Sequence, residues 1–322
     1  MPALVCAGYY WNVAPQPAGK CAIRFPHLAS VMAVACTLPL QAGWAQQYSE
    51  PAAVKGPGIN FDGGISFDNN VTRSNGPGQK LGDQILNLNM NKSEIVGLSD
   101  NSRIVVQGFL GAERFRKYTT LSRIFAGLQG NYQYRPSGDF DAPTYELTAR
   151  ASIDGYESTQ RDGYRHVLGA GVRLPLTDRI EIFTALSHNQ RVATSSIFST
   201  RENAARVNID YTYSSKATIY ATGEYRRGTV ASTGLATLAN VDVAELIVRD
   251  AAFTDAARFA YRVKAETYLG TLGFNYALDE KNAIDFSWRK VKSTPFSQPT
   301  FRDAEHVSYT VNQFNLTYLF RY

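Results

Sequence analysis

The residues best equipped for chemistry are few. After residue 45 the chain holds three histidines, His166, His188 and His306. His166 and His188 lie at nearly equal distances from the turn-forming stretch Pro175-Leu-Thr-Asp178, so on two antiparallel strands they become cross-strand neighbours. Ser187 and Asn189 flank His188, but adjacent residues of a strand point to opposite faces, which disfavours a Ser–His pair within it. A lipid-facing Ser/His/Asn hydrolase is the enzymatic reading of this region; interfacial histidines without catalytic work are the other. No His/Cys cluster has zinc spacing and no glycine loop is built to cradle a phosphate. Asp68-Asn-Asn70 and Asp303/Glu305 offer loop oxygens to a calcium ion, although loop acids are ordinarily just solvated. The expectation is therefore a protein with no catalytic residues, no metal and no cofactor.

Charge is the richer signal. Arg150, Arg165, Arg173, Arg179, Arg206, Arg226 and Arg289, with Arg135, Arg191 and Arg321, fall at positions that alternate with apolar ones. So do Glu146, Glu181, Asp210, Glu224 and Asp285, with Asp62, Asp68, Glu113 and Asp154. Such groups need water or mutual pairing, because an isolated buried charge is costly. They read as the lining of a lumen, either a hydrated pore with charged rows or a core plugged by cross-strand ion pairs.

The elements that must carry these rows are strands. Tyr145, Leu147, Ala149, Ala151 and Ile153 stand opposite Glu146, Thr148, Arg150, Ser152 and Asp154; Ala205, Val207, Ile209, Tyr211 and Tyr213 stand opposite Arg206, Asn208, Asp210 and Thr212. A strand segregates these two sets, whereas a helix would mix them around its circumference. From Gly58 onward such bursts recur, divided by short turns near 99–102, 136–139, 175–178, 214–216 and 279–282. Longer polar connections near 70–82, 114–121, 155–162, 192–203, 227–258 and 294–306 alternate strictly with them. Five short and six long connections give twelve strands. Soluble sandwiches have no reason to keep this asymmetry, whereas outer-membrane barrels do: tight periplasmic turns, long external loops, both termini inside. The eight prolines after residue 45 avoid the strand interiors, as a closed ladder in lipid requires. The fold expected is all-β: a transmembrane antiparallel up-and-down barrel over 58–322.

Composition agrees. The chain has 322 residues, 44% hydrophobic and 19% charged, and 36 of its 39 aromatics are Tyr or Phe. Its mean hydropathy of -0.25 excludes a multi-span helical membrane protein but not a barrel, which hides lipid-facing residues at alternate positions. Cys6, Cys21 and Cys36 precede residue 45. Lys20 and Arg24, an apolar run from Leu28 and small residues up to Ala45 make a signal peptide over 1–45, its apolar core set so late that the start codon could be called too far upstream. Acylation of Cys36 is the rival reading; it lacks a Leu three residues before the cysteine. Cleavage leaves a periplasmic segment, 46–57, and a barrel without thiols. It also lowers the net charge from +5 to +3, which suggests no nucleic-acid partner.

The last strand places Phe314, Leu316, Tyr318, Phe320 and Tyr322 on one face and Gln313, Asn315, Thr317 and Arg321 on the other, with only Leu319 out of pattern. An aromatic terminus with alternating apolar residues before it resembles the insertion signal of Gram-negative outer-membrane barrels, Tyr322 standing where that family most often has Phe. The resemblance implies outer-membrane localisation, contact with outer-membrane lipids and lipopolysaccharide, and handling by the barrel assembly machinery. The opening strand, Phe61-Asp-Gly-Gly-Ile-Ser-Phe67 and its continuation to Arg73, is similar to the first strand of barrels encoded with exopolysaccharide loci. No functional residue carries over from it.

Twelve strands set a bore between filled eight-stranded barrels and open porins. The expected function is a monomeric, porin-like channel for small hydrophilic solutes or oligosaccharides. An accessory barrel for exopolysaccharide export or assembly is the alternative, and a rim-located lipid-modifying enzyme the second. Loop 227–258 is too apolar for a purely solvated segment: Val243, Leu246, Ile247, Asp250, Phe253 and Ala257 have near-helical spacing. It reads as a constriction folded into the mouth, as an external helix on the rim, or as extensions of its neighbouring strands.

Overall fold

The computed structural model describes residues 58–322 apart from 77, 254–256 and 302–306. The expected leader over 1–45, the segment 46–57, His306, Asp303 and Glu305 lie outside the described residues. The described chain is one antiparallel sheet. Its strands are Gly58–Asp68 (β1), Asp83–Ser99 (β2), Ser102–Phe115 (β3), Arg123–Tyr134 (β4), Thr144–Tyr156 (β5) and Gly163–Pro175 (β6). They continue with Ile180–Ala193 (β7), Thr200–Ser214 (β8), Ala217–Leu235 (β9), Leu246–Arg249 (β10), Arg258–Ala277 (β11), Asn282–Pro295 (β12) and Tyr309–Arg321 (β13).

Each strand pairs with its successor, except that β9 pairs directly with β11, and β13 returns to pair with β1. The ring is therefore closed by twelve strands, while β10 is a short appendage on the outer end of β11. The twelve wall strands, the up-and-down order and the alternation of short turns with long loops all match the sequence reading. The boundaries of the longest connection do not. β9 runs on to Leu235 and β11 begins at Arg258, so the loop proper is 236–257 and much of the expected 227–258 connection is strand. Apolar outer-end residues such as Val230 and Val263, which face each other across these strands, account for the extension.

Parity is what the register preserves. Large apolar side chains on the outward parity stay exposed to the surroundings, among them Ile65 at 60%, Ile124 at 68% and Leu186 at 68%. In water this surface would be untenable; against acyl chains it is the expected one. Tyr132, Tyr134, Tyr145, Tyr211, Tyr213, Phe274, Tyr276 and Tyr318 gather on it near the short-turn end, where amphipathic rings favour the interface. Phe314, Leu316 and Tyr318 of the terminal strand face outward as expected, opposite Phe67, Ile65 and Gly63 of β1, and Phe320 packs beside Phe61 at 6.5 Å. Leu319, out of pattern in sequence, points inward and is buried.

Several inward aromatics lie flat against the wall, each over a neighbouring glycine. A Cβ on Gly127 would stand 2.5 Å from the Phe109 ring and 2.5 Å from Ser152, and one on Gly273 would collide with the Tyr220 ring. Phe109 in turn carries the Arg150 guanidinium 4.2 Å above its centroid. Glycine here makes room for a ring that would otherwise project into the bore. Replacing Gly127 by Val should cost about 1–3 kcal/mol through forced displacement of Phe109 and the β5 backbone. The check is the temperature of the heat-dependent gel-mobility shift, which should fall while Ala at Gly130, where an added Cβ meets nothing within 4 Å, leaves it unchanged.

Candidate functional site

The inward side chains form two tiers, an outer one that is largely buried and a middle one that is partly accessible. Middle-tier inward side chains, including Asn89, Gln107, Gln129, Arg150, Arg165, Arg173, Arg206, Asp210, Glu224, Arg226, Asp285 and Arg289, are all partly accessible. Their charges are matched along the wall, between adjacent strands. Arg173 bridges Glu146 at 3.1 Å and Glu181 at 2.6 Å, and Arg226 bridges Glu202 at 3.2 Å and Glu224 at 2.6 Å. Asp210 accepts from Asn208 at 2.6 Å, Asp285 from the Tyr220 hydroxyl at 3.0 Å, and Arg289 donates to Thr271 at 3.3 Å. Arg206 stands directly opposite Glu224 on β9. The sequence reading offered a hydrated pore or an ion-paired core as alternatives; the structure shows the charges pairing along the wall, with side chains of the middle tier keeping partial accessibility.

Two expected lumen arginines sit elsewhere. Arg179 lies in the exposed turn just before β7, at the periplasmic opening, because β6 and β7 stop at Pro175 and Ile180. Arg135 follows the end of β4 and donates to the Asp139 carbonyl of its own turn at 2.6 Å. The wall of β1–β4 held the residues that a search for charge passes over. Asn91 accepts from Asn60 at 2.9 Å and from Gln107 at 3.0 Å, Asn87 donates to Ser66 at 2.7 Å, and Gln133 donates to Glu146 at 3.3 Å. The middle of the β2–β4 wall is thus mainly neutral amide, whereas β5–β9 and β12 carry the ionic side chains of the middle tier. The same period-two parity, applied to Asn and Gln, would have found this face.

The outer layer is built from a second set of charges. Arg123 binds Glu113 through two hydrogen bonds of 2.8 and 2.6 Å and Asp154 at 3.2 Å, and Arg191 reaches Asp154 at 3.6 Å. All four side chains are buried. Above them runs the loop 236–257, with a short helix at Leu238–Val243. Val243 packs on Val230, Val263 and Ala265 of the inward wall, with Val307 beside them. The chain then crosses the mouth. Asp250 accepts from Arg161 at 2.7 and 2.6 Å and from the Thr233 hydroxyl at 2.6 Å, its side chain wholly buried. Phe253 inserts among Leu121, Val71, Leu81, Phe115 and Tyr118, its ring 5.3 Å from that of Tyr118. Because Leu121 belongs to the β3–β4 connection, nearly opposite β9 and β11 in the ring, this loop is a strap across the opening. The constriction reading of the sequence fits this position.

The loop over 69–82 closes the rest. The Thr233 amide donates to the Thr72 carbonyl, the Leu235 amide to Gln79, and Arg258 to the Gln79 carbonyl. Asp68 takes part here as a structural acid: it pairs with Arg73 at 2.8 Å and accepts from Gln313 at 2.7 Å. Asn70 donates to the Ser74 carbonyl at 2.8 Å. These oxygens are engaged within the loop, and no cluster of three metal-binding side chains occurs among the described residues.

His166 and His188 face outward. His188 stands opposite Leu168 and His166 opposite Gln190, so the two are diagonal neighbours, not a direct pair. His188 Nδ1 is 2.7 Å from Asn203 Oδ1, while its Nε2 accepts from Arg201 at 3.3 Å. A guanidinium therefore occupies the side of the ring where a serine hydroxyl would need to stand.

No family model matches the sequence, and no curated protein matches it. Among solved structures the chain is similar to an outer-membrane channel from Pseudomonas putida F1, at TM-score 0.54 and 11% identity over 85% of this chain and 100% of that one. It is also similar to the KdgM porin in complex with disordered oligogalacturonate, at 0.42 and 10% over 82% and 99%. The transport unit of the autotransporter AIDA-I from Escherichia coli matches at 0.45 and 8% over 92% and 97%. At such identities the likeness is one of fold. The P. putida structure shares the closed β-barrel fold, and the apolar outer band around a polar interior is that of a barrel spanning a membrane.

Burial alone would raise the Asp250 pKa, but the hydrogen bonds and charge of Arg161, with Thr233 and the Ala252 amide, hold it below the ordinary carboxylate range. The stability it lends the strap is therefore complete above about pH 4, the usual aspartate value, and is lost as pH falls further through the lowered one. Limited proteolysis between pH 7 and 3 should find the strap protected down to about pH 4 and cleaved below it. Asp250→Ala leaves the buried Arg161 uncompensated, at a cost of about 3–5 kcal/mol, and should expose the strap at neutral pH without unfolding the barrel.

Proposed function

We propose that this barrel is a porin-like channel through which small hydrophilic solutes or oligosaccharides pass by diffusion, with no catalytic step. The observation that carries the reading is the middle lumen: water reaches a wall whose polar groups are hydrogen-bonded to one another, so a solute meets donors and acceptors without stripping any buried charge. The P. putida channel shares the fold, which agrees with this role. The outer seal sets how freely the channel conducts, because the strap anchored by Asp250 and Phe253 spans its mouth. The lumen is monomeric in this reading, formed by one chain embedded in outer-membrane lipids after delivery by the barrel assembly machinery.

Near-balance of arginines and carboxylates along the wall implies weak preference between anions and cations. Planar-bilayer recording tests this reading. Single-channel steps are expected, with a reversal potential near zero in a KCl gradient, and Asp250→Ala combined with Phe253→Ala should raise the conductance or the open fraction. A complete lack of steps in both the native chain and this double variant would remove the channel reading. Arg173→Gln with Arg226→Gln, which leaves Glu146, Glu181, Glu202 and Glu224 without their cations, should shift the reversal potential toward cation preference.

A further inference from the structure

We infer that the outward face of β8, β9, β11 and β12, just above the apolar band, is a binding site for the phosphate groups of outer-leaflet lipids. The inference rests on the barrel spanning a membrane and is independent of whether its lumen conducts. Its starting point is the end of the apolar band on this wall. Moving outward along β12, Ile284, Phe286 and Trp288 give way to Lys290 and Lys292, and along β11 Tyr276, Phe274 and Leu272 give way to Tyr268, Glu266 and Lys264. The change from hydrocarbon-compatible to cationic residues occurs within one pleat.

Register gathers the cations. Lys292 is opposite Tyr268, which is opposite Tyr225, and the two tyrosine rings lie 5.2 Å apart. Arg227 is opposite Glu266 on one side and Asn203 on the other, and Arg201 reaches across to His188. Arg201, Arg227, Lys290 and Lys292 are all exposed, and among the described residues none of the four forms an ion pair. The nearby Glu245 is already taken by Lys264 at 2.8 Å and Arg262 at 3.5 Å. Two of the four are held in place: Arg227 lies 4.8 Å over the Phe296 ring, and Arg201 donates to a histidine that Asn203 orients.

The opposite wall at the same height is different. Arg114 is paired with Glu157, and Arg116 donates to Gln84 at 2.7 Å. Arg116 meets only a neutral amide, so exposed positive charge is present on both walls. Its denser cluster lies over β8, β9 and β12, where Glu266 opposite Arg227 offsets part of it, at the level where acyl chains end and headgroups begin. A guanidinium fork and flexible ammonium groups suit phosphate oxygens, and each cation near an anionic headgroup layer contributes about 1 kcal/mol. The paired tyrosine rings lie at the same level, the Tyr268 hydroxyl donating to Glu266 at 3.4 Å, and amphipathic rings of this kind favour the interface.

The test uses the full mature chain refolded in detergent, with native mass spectrometry and the heat-dependent mobility shift as readouts. The probes are diphosphorylated lipid A, the same lipid with its phosphates removed, and inorganic phosphate. Diphosphorylated lipid A should stay bound and raise the mobility-shift temperature, and the other two should do neither. Arg201→Gln/Arg227→Gln/Lys290→Gln/Lys292→Gln should weaken retention at least about tenfold, given about 1 kcal/mol per cation, while Arg114→Gln/Arg116→Gln retains it. The pair Lys290→Gln/Lys292→Gln, at fully exposed positions, serves should the quadruple variant fail to fold. Equal binding of the dephosphorylated lipid, capture of inorganic phosphate in its place, or equal losses from both sets of variants would overturn the inference. A chain that dissolves without detergent would instead refute the membrane reading beneath it.

Discussion

Hydrocarbon offers no partner to a peptide group, so a strand inside it must be hydrogen-bonded along both edges. Everything else in this molecule follows from how that demand is met. The terminal strand returns to the first over an unbroken register from Asn60 opposite Arg321 to Asp68 opposite Gln313, leaving no edge in the lipid-facing wall. Once the ring is closed, strict alternation is forced. Each inward side chain is committed to the lumen and each outward one to lipid, and a slip of one residue would exchange the two sets. The pairing of Arg173 with Glu146 and Glu181, and of Arg226 with Glu202, is the consequence on the inside, since charges turned inward around a ring meet their neighbours on the next strand; Arg226 also meets Glu224 two residues away on its own strand.

Above the wall, the loops solve a different problem. The outer ends of β9 and β11 rise past their neighbours, and there the outward parity no longer means lipid. Ala260 has outward parity, yet it is fully buried beneath Ile197 and Phe198, with Val248 of β10 alongside. The extended hairpin is thus wrapped on both faces by loops. Three small apolar clusters, centred on Val243, Phe253 and Ile197, bind these loops into one layer over the mouth. The ion pair of Arg161 with Asp250 ties the layer to the β5–β6 connection. A buried pair of this kind contributes less to stability than to fixing a single arrangement, since either partner alone would be costly to bury.

Most of the wall was legible in the sequence because a period of two is local. Tyr145 through Asp154 declare their faces without reference to any other strand, and proline and turn residues mark where each strand stops. Arg179 and Arg135 were misplaced at that level for a simple reason: parity continues smoothly into a turn, so the pattern does not reveal where the wall ends. The outer layer was mostly illegible. Asp250 meets Arg161 because two loops from different parts of the ring converge, and nothing in their spacing announces it. The amide face of β1–β4 is an intermediate case. Asn89, Asn91 and Gln107 alternate as regularly as the arginines, but neutral polar residues carry no charge signal and suit a solvated strand equally well.

The strap leaves β9 and re-enters β11, two strands bonded to each other from Ala217 with Tyr276 to Leu235 with Arg258. Mechanically it is a flap hung on one side of a round opening. Its near edge is sewn into the longest ladder of the molecule, and its far edge is held by a carboxylate grip, one inserted ring and hydrogen bonds of Gln160 and Thr120 to the backbone at 249–252. Any motion that bares the bore must begin at that far margin and pivot about the near one.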